Sequence, residues 1–391
     1  AKIRGSNLPD KAARTETAIE KKELQTPPSK MGSLPSLYQC SVLLKERVHL
    51  IRYDNNLYCF NGRCYDILDS NDIISLYRDK VDTKLGNERS LSTISQLHKF
   101  LCSDSSMVIE GYKRNKKIAV LQNGIYDVMG EELLPHSHEE VVFSYINADY
   151  NEYEKCPYFD KFLRDVTEGN EIMCKRLWMF LGYTFMQTNE AKAFFIMGEA
   201  PDSVKSLLGN FIESIYPKKY VSNIALMDFN RSYAMAPLAG SAVNISLDLP
   251  SSHLNSRAVS RIKMLTGGDS LNIQKKFIND FRYENQAKLI FASNFPIALV
   301  EPDNAFWNRL VYLPFNKSVP KAKQDRGLPE RFQREKNAIV SKALHYAKQL
   351  ILSDFCFPTT PYIERKMLEW QGKTCATIEN FISECCICNE T

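Results

Sequence analysis

A mainly parallel α/β sheet preceded by a small α+β domain is the fold class that this sequence of 391 residues predicts. Two observations carry that prediction. From residue 193 onward, four short apolar runs, Ala193–Met197, Ala242–Leu247, Lys288–Ala292 and Leu310–Leu313, are separated by helical or loop segments. That alternation feeds a parallel sheet with helices on both faces. Before residue 152, short β-like runs alternate instead with Asn, Gly and Asp turns, as in a small mixed domain.

Taken in order, residues 1–36 are polar and charged, with Pro27, Pro28 and Gly32 near their end and almost no periodic apolar pattern. They read as a tail or linker. Segment 37–151 holds β-like runs at Val48–Arg52, Asn56–Phe60 and Lys117–Leu121, with helical stretches near Ile73–Val81 and Leu91–Leu101, and reads as an N-terminal accessory domain. A new pattern opens at Tyr153: helix-like segments over Tyr158–Val166 and Glu171–Thr188 lead into the alternating strands, and helix returns over Glu330–Ser353. Segment 152–353 is therefore the main domain, and 354–391 begins a further element around Ile378–Cys385. Trp178, Phe180, Tyr183 and Phe185 lie in one helix-like stretch and read as core.

Composition is ordinary for a globular chain, at 44% hydrophobic and 25% charged residues, and the length suits two or three domains. A net charge of +4 leaves any nucleic-acid surface to local placement of basic residues. The 11 cysteines are scattered, and no Cys-x2-Cys pair is matched by a second. With no signal-like start and no apolar run near the ~18 residues of a membrane span, they read as reduced thiols of a cytosolic, cytoplasmic protein with no membrane partner. Cys385, Cys386 and Cys388 stand in a pattern that stops short at Thr391, as expected of a piece of a longer chain. His136 and His138 flank a turn after Pro135, and no structural zinc is expected.

The run Ala193–Met197 delivers the nine residues Gly198–Ser206, which open a helix-like segment, Leu207–Ile215. This is the layout of a nucleotide-phosphate loop: backbone N–H groups surround the phosphates, the helix aims its positive end at them, and Lys205 and Ser206 supply a cation and a magnesium-binding hydroxyl. Gly198, Ser203, Val204, Lys205 and Ser206 are its nucleotide-binding residues. Two departures stand out. Val204 occupies the place of the second glycine, and Gly198 lies one residue further from the lysine than in Gly-x4-Gly-Lys-Ser. A β-branched residue resists the backbone conformation that glycine permits, so Val204→Gly is expected to restore close phosphate approach.

Downstream, Ala242–Pro250 reads as a strand ending in Asp248, where a magnesium-holding carboxylate belongs. Then come Lys263–Phe277, Lys288–Asn294 and Ala305–Phe315. This ordered series resembles superfamily 3 helicases of the AAA+ P-loop ATPase class, and within them the phage, plasmid and poxvirus primase-helicase family. The resemblance is closest from about Cys156 to Leu352, while Val120–Asp127 and Leu134–His136 are similar to the domain preceding the helicase in that family.

It implies a DNA helicase that hydrolyses ATP with Mg2+ at the interfaces of a hexamer, in replication of a phage, plasmid or other mobile element. Lys205 and Ser206 would bind triphosphate and magnesium, Asp248 would be the second acidic motif, Asn294 the sensor that positions water, and Arg309 a finger reaching a neighbour's site. Lys275, Lys276 and Phe277 fall in the region resembling the pore hairpin, where cations contact phosphates and a ring stacks on single-stranded or forked DNA. A primase or polymerase is the implied partner, since no zinc cluster or acidic series for priming precedes residue 150. The alternative is a DNA-holding ring in which Val204 has disabled hydrolysis.

Overall fold

A computed structural model describes residues 36–373 with the exception of 55, 82–87, 110–111, 113–114, 202–203, 252, 276–277, 316 and 319–324. The tail expected before residue 36 and the C-terminal cysteine cluster lie outside the described residues.

Helix α1 (Leu37–Lys45) opens on a reciprocal cap: Ser36 accepts from the Gln39 N–H while the Gln39 side chain accepts from the Ser36 N–H. An antiparallel meander follows, β1 (Leu50–Tyr53), β2 (Asn56–Phe60) and β3 (Tyr65–Leu68), with α2 (Ser70–Lys80) and α3 (Glu88–Ser103) after it. Leu44, Leu57, Ile73, Tyr77, Leu97 and Leu101 give this unit its own core. A second antiparallel sheet holds β4 (Ile118–Val120), β5 (Ile125–Asp127) and β6 (Glu132–Leu134). Its buried Ala119, Val120 and Ile125 share a core with the helices beyond residue 156. Asp149 and Asn151 donate their backbone N–H groups to Asn337 and Ser341, so the chain near residue 151 is bonded into the second half of the protein.

That half begins with α4 (Pro157–Val166) and α5 (Glu171–Phe185). It continues through β7 (Phe194–Glu199), α6 (Lys205–Ser214), β8 (Val221–Ser222), β9 (Val243–Leu249), β10 (His253–Leu254) and α7 (Ser256–Gly267). An antiparallel hairpin, β11 (Ser270–Lys275) and β12 (Ile278–Glu284), precedes β13 (Lys288–Ser293), β14 (Ala298–Leu299), α8 (Asn304–Trp307) and β15 (Leu310–Phe315). Helices α9 (Leu328–Arg334), α10 (Lys336–Leu352) and α11 (Pro361–Trp370) complete it.

Five strands form one parallel sheet in the order β15-β7-β13-β9-β8, the α/β architecture the apolar runs predict. All six residues of β13 and of β15 are buried, as strands covered on both faces must be. Side chains of β7 alternate between two cores: Phe195 and Met197 meet α5, α6 and α10, whereas Phe194 and Ile196 meet α7, α8 and α11. Trp178, Phe180, Tyr183 and Phe185 are all buried core residues, as expected. Helices α5 and α10 approach so closely that a Cβ on Gly182 would lie 2.2 Å from the Ala343 carbonyl oxygen, which is why a glycine sits inside a helix there.

At the amino end of β13, Lys288 is 3% exposed. Its Nζ donates to the Thr188 carbonyl and to Asn189 Oδ1 at 2.8 Å, and it lies 4.8 Å above the Tyr183 ring. These partners are neutral, and burial pushes the ammonium down from 10.5 to about 7. Between those values the unfolded chain binds more protons than the folded one, so this group makes stability rise with pH. The unfolding free energy of the wild type, measured by urea titration, should therefore climb relative to Lys288→Met between about pH 7.5 and 9.5, by up to ~1.4 kcal/mol per pH unit. Parallel pH curves for the two proteins would show that Lys288 titrates normally.

Candidate functional site

Strand β7 runs through Gly198 to Glu199, two residues beyond the apolar run, so Gly198 is part of the strand. A Cβ there would come within 2.9 Å of the Tyr312 ring and 3.6 Å of the Trp370 indole, and that close approach is what requires glycine. Ser203 lies outside the described residues. Val204 caps α6 at φ −64°, outside the left-handed region that favours glycine, and its side chain packs against the main core. A positive φ, the backbone conformation that favours glycine, is therefore not what this position requires. Since Val204 offers no capping oxygen, the first N–H groups of α6 have no side-chain cap from that position.

Lys205, in the first turn of α6, is 5% exposed. Its Nζ donates to the carbonyl of Ala200 at 2.9 Å, the carbonyl of Ser293 at 3.0 Å and Oδ1 of Asn294 at 2.6 Å. One ammonium thus joins the loop after β7 to the end of β13. Ser206, next to it, is exposed. Asn294 follows directly on β13, and the Ser293 hydroxyl bonds both backbone groups of Phe295 to turn the chain there. Asn294 is more than a turn residue, because its side-chain oxygen is committed to Lys205.

Ser293 is in register with Leu249 of β9, which places the exposed Asp248 at the same edge of the sheet. Because β13 lies between β7 and β9, Asn294 stands between the Lys205 loop and Asp248. Chain connections step from β7 out to β8 and back through β9 and β13, then cross to β15 on the far side of β7. The carboxyl ends of strands around such a reversal form the crevice where open α/β sheets bind ligands.

Arg309 is elsewhere. It immediately precedes β15, its carbonyl accepts from the Phe194 N–H at 2.9 Å, and its Nη1 donates to the Ala305 carbonyl at 2.7 Å. Strand β15 runs parallel to β7 for six residues, so Arg309 sits at the amino edge; at a rise of about 3.3 Å per residue, roughly 20 Å separates it from Lys205. The hairpin of β11 and β12 belongs to that amino edge too, since α7 ends beside Arg309 and β12 leads into the start of β13. Lys275 ends β11 in register with Ile278, and Lys276 and Phe277 lie outside the described residues. Tyr312 lies within the Ala305–Phe315 segment and Trp370 lies outside every motif, and the sequence gives no sign that both meet Gly198 in space.

Two family models match the chain. Residues 47–168 match a family described as D5 N terminal like, and residues 196–309 match a family of unknown function, DUF5906. The second match begins within β7 and ends on Arg309. No curated protein matches. Among solved structures, an A-form apo structure of the NrS-1 C terminal region aligns with a TM-score of 0.54 at 11% identity, over 87% of this chain and 75% of that one. A further apo structure of the same region gives 0.52 at 11% identity, over 90% and 78%. At such identity the likeness establishes a shared mixed α/β fold. A JCV helicase with a small molecule bound aligns over 58% of this chain and 70% of that one at 14% identity, and its TM-score of 0.31 is too low to establish a common fold.

The environment of Val204 sets an expectation for the loop. Val204→Gly should lower thermal stability by about 1 kcal/mol through lost apolar burial. Calorimetric melting checks this; an unchanged melting temperature would mean that the valine side chain contributes no packing there.

Proposed function

We propose that this chain is the ATP-hydrolysing, DNA-translocating part of a phage, plasmid or viral replication helicase of the AAA+ superfamily 3 type, working as a hexameric ring. The contact between Lys205 and Asn294 carries the reading. It joins a loop cation to a strand-end amide where phosphoryl transfer needs both a charge for the phosphates and a group to orient water. An incoming triphosphate takes over the Lys205 ammonium from its oxygen acceptors, and Asn294 is released to bond the attacking water. Ser206 and Asp248 are hard oxygen donors of the kind that hold magnesium, which supplies charge neutralisation at the phosphates. The two family matches support the same reading, since the D5-like segment precedes the loop-bearing segment in chain order.

ATP hydrolysis measured with and without single-stranded DNA tests it. Turnover should rise with DNA and fall by about 10²-fold or more in Lys205→Ala and in Asp248→Ala; full turnover in either variant removes that residue from the site. A second reading, a ring that binds DNA without turnover, is favoured by the engagement of Lys205 with three protein oxygens. DNA binding by a wild type that never hydrolyses ATP selects it.

Placement of Arg309 some 20 Å from the loop of its own chain supports reading it as a finger for a neighbouring subunit. Arg309→Ala and Lys205→Ala proteins, each inactive alone, should regain hydrolysis when mixed at assembling concentrations, because some interfaces then pair an intact loop with an intact arginine. Mixed rings that assemble and stay inactive would end this role. At the hairpin, Lys275→Ala with Lys276→Ala should weaken DNA binding and flatten its salt dependence by roughly 1.4 in log–log slope, at ~0.7 per phosphate of a single strand. An unchanged slope leaves the pair as surface charge.

A further inference from the structure

We infer that Trp370 is a positioning residue for the phosphate loop, acting through Tyr312 on Gly198. The inference rests on the reading of that loop as a triphosphate site. Helix α11 is far from the loop in sequence, yet a specific set of contacts brings it there. Arg176, a buried residue of α5, donates from Nε to the Tyr312 carbonyl at 3.0 Å and from Nη1 to the Pro358 carbonyl at 2.7 Å. One guanidinium therefore ties the segment before α11 to β15, and Thr360 then caps α11 by accepting from the Ile363 N–H.

At the far end of α11, the Trp370 indole meets the Tyr312 ring edge-on, with centroids 5.0 Å apart. Tyr312 is held twice, by Arg176 at its backbone and by Trp370 at its ring, and the ring occupies the space that Gly198 leaves. From Gly198 the path to the cation is short: Ala200, two residues on, bonds its N–H to the Phe315 carbonyl and offers its own carbonyl to Lys205. Both aromatic residues sit on the face of the sheet opposite α6, so the loop is gripped from two sides. A shift of α11 must move Tyr312, and with it the residues that aim Lys205.

Magnesium-ATP titration of the full chain by calorimetry tests this. Trp370→Leu should weaken ATP binding by about fivefold, and Trp370→Phe, which keeps a ring against Tyr312, by no more than about twofold. Gly198→Ala should also weaken binding, because its Cβ would crowd Tyr312. In the Gly198→Ala background, however, Trp370→Leu should strengthen binding, since Tyr312 gains room to retreat. A residue with a merely structural role would add its loss to that of Gly198→Ala, and this additive outcome overturns the inference. Equal affinities for wild type and Trp370→Leu overturn it alone, whereas a wild type that binds no ATP overturns it together with the triphosphate reading. Should Trp370→Leu fail to fold by circular dichroism, tryptophan emission decides. ATP should alter the fluorescence of the wild type but not that of Trp370→Phe, which retains Trp178 and Trp307; identical responses overturn the proposal.

Discussion

The sheet depends on β13, a strand buried along its whole length whose two ends are each held by a buried lysine. Strands β7 and β9 bond to it directly, and β15 and β8 are attached through them. Lys288 closes its amino end against Thr188 and Asn189, and Lys205 closes its carboxyl end at Ser293 and Asn294. Burying an ammonium is costly unless its donors are satisfied, so Lys288 bonds oxygens of the adjacent Thr188 and Asn189, and Lys205 gathers oxygens from two separate segments. The consequence differs at the two ends. Lys288 meets neutral partners in a fixed packing environment, and burial lowers its pKa; Lys205 fastens a loop, and an anion arriving at that loop competes for it.

The two edges of the sheet thereby acquire different chemistry. Lys205, Asn294 and Asp248 converge at the carboxyl edge because parallel strands end together, and the strand order interposes Asn294 between the other two. Arg309 and the β11–β12 hairpin occupy the amino edge. An arginine separated from the loop by the length of a strand has no route to it within one chain. On the proposed reading, the same parallel topology that assembles one half of the site forces the other half to come from a second copy.

Much of this was legible in the sequence, and the exceptions share a cause. Apolar runs located all four longer strands of the parallel sheet, because strands covered on both faces must be apolar throughout. Strand β8, only two residues long, is too short to register as a run. The places of Asp248 and Asn294 were legible from their order, since Asp248 lies at the end of β9 and Asn294 directly follows β13. What escaped was contact between distant segments. Glu335 caps α4 by accepting from the N–H groups of Tyr158 and Phe159, and nothing in the local sequence of either helix announces it. Val204 looked disabling from a motif, yet its φ is ordinary; Gly198 looked like a loop glycine, yet it yields space to Tyr312. A motif gives residue types and order, whereas these roles are set by what packs behind the backbone.

The same distinction governs the first third of the chain. Turn-separated β runs suggested one accessory domain up to residue 151, but packing divides it differently. Helices α1 to α3 and strands β1 to β3 enclose a core of their own, while β4 to β6 contribute to the core of the second half. The meander meets the second half of the protein through both apolar and polar contacts: Cys64 enters the main core, while Asp66 takes a hydrogen bond from Tyr220 and an ion pair from Lys219, beside a cavity of about 390 Å3 lined by Tyr58, Phe143 and Tyr283. Tyr283 lies near the end of β12, so the root of the hairpin borders this cavity. The hairpin root thus borders the junction between the meander and the sheet, whereas β4 to β6 are fused into the main core.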